Sequence, residues 1–159
     1  MDNGYSAREI TTREADRMYP LVQLALAELS LDHWRSFVAA TAKPKRPNLS
    51  NTLTGAPGGI VAVECARGYA RALFSYSVVA SLRCNRTLEC DNLVILNQFG
   101  IRTIWATVLA AARDMARRYD CQGIHINMID NGSELAELLQ RAGFRPERES
   151  WCLRSGIQV

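Results

Sequence analysis

The sequence predicts one α/β domain, residues 1–159, built on a mixed, mostly antiparallel sheet of six to seven strands flanked by about four helices. Three observations lead to this prediction. Two amphipathic helical segments come early, three strand segments then follow one another directly, and a long helix joins the third of these to a further strand. Strands joined by short turns favour an antiparallel meander, whereas a strand–helix–strand connection favours a parallel pair.

The composition is that of an ordinary globular protein. The apolar fraction is 48% and the charged fraction 22%, which excludes a disordered chain. The net charge of +3 is small and no basic segment is interleaved with aromatic residues, so no nucleic acid or membrane partner is expected. The first residues have no basic and no apolar stretch, so no secretory signal is expected. No apolar run approaches 18 residues, and the five cysteines lack C-x-x-C spacing. We therefore expect reduced thiols, no metal and a cytoplasmic protein.

The first part of the chain is predicted as a short strand and a helix. Residues 5–10 form the strand, and Thr11 or Thr12 caps a helix that runs to about Ser30. Pro20 lies inside this helix, so the pattern predicts either a kink or two separate pieces.

A second helix and a long loop follow. Trp34, Phe37 and Val38 share one face of the predicted helix over Leu31–Thr41. Residues 42–58 are rich in proline and glycine, and a loop of this length in a compact domain is usually functional or mobile.

The three consecutive strands are recognised by aromatic and β-branched residues between turn signals. The second half of the third strand is apolar on both faces, which is typical of a central strand covered on both sides. The predicted strands are Gly59–Cys65, Tyr69–Val79 and Thr87–Leu96.

The last third of the chain is predicted as helix, strand, helix and strand. Apolar residues recur every three to four positions over Thr103–Tyr119, which predicts the longest helix. Gly123–Met128 alternates as a strand, and a short helix follows from Asn131 and ends before Gly143, a residue suited to the left-handed conformation. A final strand or hairpin is predicted over Phe144–Leu153.

This order of elements resembles that of the GNAT N-acetyltransferases over nearly the whole chain. The segment ELAELLQRAGFRPERESWCLR is similar to the C-terminal part of that family, in which a short helix ends at Gly-Phe, here Gly143-Phe144. The family's third meander strand and the strand after the long helix are parallel but splayed, and acyl-CoA lies in the cleft between them. An unrelated α/β domain with the same order of elements is the alternative.

The resemblance implies acetyl-CoA as co-substrate, held along two stretches. The pantetheine arm would follow the strand edge, and the pyrophosphate would meet backbone N–H groups at the start of the long helix, where such groups lack intrahelical partners. The implied residues are Val94, Ile95 and Leu96 for the arm, and Gln98, Phe99, Gly100, Ile101, Arg102, Thr103 and Ile104 for the pyrophosphate. The resemblance also implies Asn131 as a contact of the cofactor. The alternative is that Asn131 only caps the last helix.

The family's pyrophosphate pattern, Arg/Gln-x-x-Gly-x-Gly/Ala, is matched in neither of two registers. In one, Thr103 and Trp105 stand where glycine or alanine is usual; in the other, only Gly100 is recovered. Trp105 would then either block the site or turn into the core. A helix start that binds nothing is the alternative interpretation.

Glu89 and Asp91 are the candidate catalytic residues. They lie two positions apart, hence on one face of the third strand, where family members often place the carboxylate that accepts the amine proton. Solvated carboxylates at a strand end are the alternative. His125 alternates with apolar neighbours and is interpreted as a structural histidine rather than a base.

The tyrosine that commonly protonates the departing thiolate in the family is replaced here by Leu139, which cannot donate a proton. Tyr76, Ser75 and Ser77 are candidates that could reach the cleft, whereas Tyr119 is assigned to the core or its rim.

Two hypotheses follow. The first is an acyl-CoA-dependent N-acetyltransferase that transfers acetyl directly, in a ternary complex, to a small-molecule or protein amine. The second is a catalytically inactive GNAT-like domain that serves as a binding or structural module, because Thr103, Trp105 and Leu139 replace expected residues. Homodimers are common in the family, so the resemblance also allows a homodimer.

Overall fold

A computed structural model describes residues 4–42, 57–96, 100–129 and 133–147. These residues form one five-stranded sheet with strand order β1-β2-β3-β4-β5, four α-helices and one turn of 3-10 helix over Thr12–Glu14. The strands are β1 (Tyr5–Glu9), β2 (Gly58–Cys65), β3 (Ala70–Ser81), β4 (Asn85–Ile95) and β5 (Gly123–Met128). The helices are α1 (Ala15–Ala25), α2 (Leu31–Thr41), α3 (Ile101–Arg118) and α4 (Ser133–Arg141).

Strand pairing follows the predicted topology. Neighbours from β1 to β4 are antiparallel, and β5 is parallel to β4. The count of six to seven strands is not matched, since the described residues form five. Residues 144–147 of the predicted last strand have no regular structure, and the rest of that strand lies outside the described residues.

The first helical segment forms two helices, which is one of the two outcomes predicted from Pro20, but the break between them is not at Pro20. Pro20 lies inside α1, and the helix ends at Ala25 instead of continuing to Ser30. The backbone of Leu26 leaves the helical region there, and the Ser30 hydroxyl accepts the His33 N–H at 3.1 Å as the cap of α2. Serine is strongly favoured at the N-cap position of a helix, so Ser30 marks the start of a new helix.

The sheet carries a core on each face. The α3 stripe packs on one face together with α4, and all seven apolar residues from Ile104 to Ala116 in that stripe are buried, which confirms the predicted helix. The other face is covered by α1 and α2 through Met18, Trp34 and Val38. β3 and β4 are therefore covered on both sides, as predicted for a central strand.

A β-bulge interrupts β4 at Asn92. Ser75 of β3 lies opposite Asp91, but the next pair is Leu73 with Val94, so β4 carries one extra residue. Asn92 has a positive φ of 55°, a conformation that asparagine tolerates better than most residues. The pairing of β4 with β5 shifts at the same place, between Cys90 and Leu93. A bulge of this kind redirects side chains, and it lies next to the last described pair of the two parallel strands, Leu93 with Met128.

Candidate active site

Polar side chains collect on the α1/α2 face of the sheet, beyond the part that the two helices cover. Leu88, Cys90 and Leu93 pack in the core on the α3 face, so the alternate residues Glu89 and Asp91 point to the opposite face. The sequence prediction that these two carboxylates share a face therefore agrees with the strand geometry.

Glu89 is paired with His125. The two residues lie opposite each other in the β4–β5 ladder, and the His125 Nδ1 is 3.0 Å from the Glu89 Oε1. Glu89 is buried, with 8% of its surface exposed, and the second His125 nitrogen lies 3.8 Å from Glu147. The histidine does point away from its apolar neighbours, as expected, but its contact with a candidate catalytic carboxylate was not predicted.

Asp91 has an amide partner on β5. The Asn127 side chain donates a 2.6 Å hydrogen bond to Asp91 Oδ1. The Ser75 hydroxyl donates to the Asp91 carbonyl at 3.1 Å and accepts a hydrogen bond from the Asn92 side chain at 3.0 Å. The bulge thus holds Asn92 on the same face as Asp91, and Ser75 is the member of the Ser75, Ser77 and Tyr76 set that the structure brings to this point.

The start of α3 presents backbone donors. Gly100, the N-cap residue, adopts a left-handed conformation with φ of 79° and has no side chain with which to cap the helix. Thr103 and Ile104 both donate to the Gly100 carbonyl, so the N–H groups of Ile101 and Arg102 precede the first helical hydrogen bonds. This 18-residue helix therefore begins with the positive end of its dipole and with N–H groups suited to an anion.

Trp105 does not obstruct this helix start. Its side chain is 3% exposed and belongs to the core between α3 and the sheet. Ile101 and Ile104 are buried as well, whereas Arg102 is exposed. Ile101 and Ile104 therefore present only backbone groups to a ligand, and Arg102 alone among the first four helix residues presents a charge. The predicted contacts Gln98, Phe99 and Asn131 lie outside the described residues.

The last residues of β4 have one strand neighbour in the described part of the chain. Val94 and Ile95 pair with Leu73 and Ala72 of β3, whereas the ladder to β5 reaches only Leu93 and Met128. Just beyond, the Ile129 N–H to Leu93 carbonyl distance has lengthened to 3.4 Å. The Val94 side chain is buried and those of Ile95 and Leu96 are half-buried, so a ligand along this edge would meet their backbone.

Tyr76 does not face this region, contrary to the prediction that it could reach the cleft. It is buried on the α3 face, where its hydroxyl donates to the Glu9 carboxylate and its ring stacks on Tyr119 with centroids 6.2 Å apart. Burial, reinforced by the Glu9 hydrogen bond, raises the pKa of Tyr76. Leu139 is half-buried in the same core, so the position of the expected tyrosine is occupied by packing.

A mostly apolar cavity of about 170 Å³ adjoins the bulge, and it was not predicted from the sequence. It lies between α1, α2, the connection between them, and the ends of β4 and β5. Its lining residues are Val22, Leu26, Leu29, His33, Trp34, Phe37, Leu73, Asn92 and Ile129. Periodicity marked several of these as core residues, but no local signal shows that distant segments leave a space between them.

Other features of the described residues bear on the earlier expectations. Cys65, Cys84, Cys90 and Cys121 form no disulfide, and burial raises the pKa of Cys90 to about 12, which argues against a nucleophilic role. Within the described ranges, His, Cys, Asp and Glu side chains form no group of three that could hold a metal ion. None of the helices described there has the length and apolar character needed to cross a membrane.

Comparison with solved structures identifies the fold. The chain is similar to the ribosomal-protein-alanine N-acetyltransferase from Brucella melitensis biovar Abortus 2308, with a TM-score of 0.69 and 10% identity over 94% of this chain and 99% of that one. It is also similar to the aminoglycoside N-acetyltransferase AAC(6')-Iy in complex with the bisubstrate analogue CoA-S-monomethyl-acetylneamine, with a TM-score of 0.72 and 12% identity over 95% and 97%.

A third solved structure, the aminoglycoside 6'-N-acetyltransferase AAC(6')-Ih from Acinetobacter baumannii, has a TM-score of 0.69 and 10% identity, and the match covers 98% of this chain and all of the other. No family model and no curated protein sequence matches the chain. The likeness is one of fold, and it confirms the GNAT fold that the order of elements indicated.

Proposed function

We propose, from the GNAT N-acetyltransferase fold of this chain, that it is an acyl-CoA-dependent N-acetyltransferase that transfers acetyl directly to an amine in a ternary complex. The observation that carries the proposal is the arrangement at the end of the described β4–β5 ladder. There Asp91 and the bulge residue Asn92 are consecutive and share one face of the sheet, and Asn92 lines an apolar cavity.

The described residues fit acetyl-CoA. The start of α3, with Gly100, Ile101, Arg102 and Thr103, would hold the pyrophosphate through backbone N–H groups and the Arg102 guanidinium. The backbone edge at 94–96 would hold the pantetheine arm, because the β5 ladder has ended there. When bound, the thioester supplies the activated acetyl group. Gln98, Phe99 and Asn131 remain proposed contacts from the family resemblance.

Transfer requires an unprotonated amine, and the chain supplies two carboxylates that could take its proton. A bond forms between the amine nitrogen and the acetyl carbon, the carbon–sulfur bond breaks, and the nitrogen loses one proton as the sulfur gains one. Asp91 directly precedes Asn92, which lines the cavity, whereas Glu89 lies two residues earlier on the same face and is paired with His125. We assign Asp91 as the proton acceptor and Glu89 as the second candidate.

The absence of a tyrosine at Leu139 is compatible with transfer. A thiol has a pKa of about 8.5, so its thiolate is a stable leaving group near neutral pH and can take its proton from water. A general acid at this position would increase the rate but is not required by the chemistry.

The test is a transfer assay with acetyl-CoA and a panel of primary amines, followed by thiol release and by the mass of the acetylated product. We expect amine-dependent release of CoA in equal amount to product. Binding of acetyl-CoA without transfer to any amine or peptide N-terminus in the panel would favour the alternative, a GNAT-like binding module.

A further inference from the structure

We infer that the cavity beside Asn92 selects the acceptor, and that the acceptor is a primary amine whose body is an apolar group of about the size of a phenyl ring. This inference rests on the proposed function, because it places the amine of that group next to Asp91. It goes further, since it specifies the chemical class of the substrate.

The walls of the cavity are the first argument. Seven of its nine lining residues are apolar, among them Trp34 and Phe37, whose rings stack with centroids 5.9 Å apart. The two polar lining residues are His33 and Asn92, and Asn92 already donates its side-chain amide to Ser75. Neither is a carboxylate. A polycationic sugar would need several carboxylates or hydrogen-bond acceptors around it, whereas these walls suit an apolar group.

The size of the cavity is the second argument. Its volume is about 170 Å³. An enclosed apolar cavity of about 150 Å³ in a protein accepts benzene, so this volume is sufficient for one aromatic ring. The cavity is thus matched to a single ring or a branched alkyl group of similar volume.

The charge next to the cavity is the third argument. Asn92 lines the cavity, and Asp91 precedes it in the same bulge, with its carboxylate bonded to Asn127 on the same face of the sheet. A single carboxylate next to an otherwise apolar space favours a ligand with one amine at one end. Both a free arylalkylamine and a peptide with an apolar N-terminal residue have this chemistry.

The probes are 2-phenylethylamine, ethylamine and neamine, titrated calorimetrically into the protein alone and into the protein saturated with CoA. Ethylamine keeps the amine and lacks the ring. We expect 2-phenylethylamine to bind about tenfold or more tightly than ethylamine, because burial of a ring of this size contributes that factor or more. A phenylalanyl peptide in a parallel titration distinguishes a peptide N-terminus from a free amine as the natural source of the group.

Two variants of matched chemistry locate the effect. Leu26, which directly follows α1, lines the cavity and is 39% exposed, whereas Leu24, in the last turn of α1, is 72% exposed and does not line it. Leu26→Asp should weaken 2-phenylethylamine at least fivefold and leave ethylamine unchanged, and Leu24→Asp should change neither. Since both side chains reach solvent, both variants should fold, which thermal unfolding will verify.

The outcomes separate this inference from the proposed function. If the ring gives no advantage, or if neamine binds more tightly than 2-phenylethylamine, the inference is overturned even where CoA binds and transfer proceeds. If CoA does not bind but the ring preference and the Leu26→Asp effect appear in the protein alone, the cavity assignment stands and the proposed reaction does not.

Discussion

Asp91 and Glu89 lie two positions apart on one strand face, but their surroundings differ. Asp91 is half-buried at the bulge and held by the Asn127 amide, whereas Glu89 is buried and held by the His125 ring. The Asn127 amide orients the Asp91 carboxylate, and Asp91 directly precedes the cavity residue Asn92, so Asp91 is the proposed proton acceptor.

Asp91→Asn should therefore lower kcat/KM by about 100- to 10,000-fold, the usual contribution of a positioned base, while the affinity for CoA stays unchanged. Steady-state transfer kinetics and calorimetry measure the two quantities. Asp114→Asn, on the exposed face of α3, is the control and should behave as the wild type. Loss of activity in Glu89→Gln with activity retained in Asp91→Asn would reverse the assignment.

A second residue-scale prediction concerns acid stability. Glu14 accepts a 2.6 Å hydrogen bond from Arg8 and a 2.9 Å bond from the Thr11 N–H, and these bonds, the Arg8 bond above all, lower the pKa of Glu14 from 4.5 to about 2. A carboxylate with a lowered folded-state pKa stabilises the protein above about pH 4.5, and this contribution is lost as the pH falls towards 2.

Glu14→Gln should consequently be less stable than the wild type at pH 6, and the difference should disappear as the pH approaches 2. Urea midpoints measured across that interval follow it, with Glu28→Gln in the exposed α1–α2 connection as the control. A difference that stays constant with pH would show that Glu14 acts by packing and not by its charge.

At the residue scale, the sequence predicted which side chains share a face and missed what they touch. Glu89 with Asp91 followed from the strand period of two, and the orientation of His125 followed from its apolar neighbours. The contact between Glu89 and His125 depends on the parallel register of β4 and β5, which no local sequence pattern contains. The prediction for Tyr76 was wrong for a related reason. Tyr76 packs in the core on the α3 face of the sheet, so the neighbouring Ser75 reaches the site instead.

The element that carries most of the proposed CoA affinity is the first turn of α3. Its buried isoleucines and Trp105 fix the helix on the sheet, and the exposed Arg102 lies beside the N–H groups that precede the first helical hydrogen bonds. Helix dipole and guanidinium favour the same anion.

Reversing the charge at this helix start tests its role. Arg102→Glu should weaken CoA binding about tenfold or more, because a like charge replaces an opposite one near a pyrophosphate. Arg113→Glu, three turns later on the exposed side of α3, gives the protein the same net charge as Arg102→Glu. It should have little effect on CoA binding. Equal losses in the two variants would indicate long-range attraction only and would contradict the assignment of the pyrophosphate to this turn.

The elements themselves were largely predictable, with informative exceptions. The apolar stripe of α3 is long and the alternation of β5 is regular, and the predicted bounds of both elements closely match the observed ones. The end of α1 at Ala25 was not predicted, because the apolar pattern continues through Leu29. The start of α2 is determined by the Ser30 cap. The bulge at Asn92 was also missed, because strand periodicity assumes that no residue is extra.

For the molecule as a whole, the order of elements was enough to indicate the GNAT fold despite identities of 10–12% to the solved structures compared above. Connection rules leave few ways to arrange helices and strands that follow one another in this order. The cavity could not be predicted in this way. It is formed by α1, α2, β4 and β5, and its volume depends on how these distant elements pack.

The most direct test of the central claim is isothermal titration of the purified protein with acetyl-CoA, alongside free CoA. The account predicts that both bind with dissociation constants in the micromolar range, since the start of α3 and the edge of β4 remain available despite Thr103, Trp105 and Leu139. Absence of binding by either compound at millimolar concentration would contradict the enzyme assignment and direct the search to protein partners.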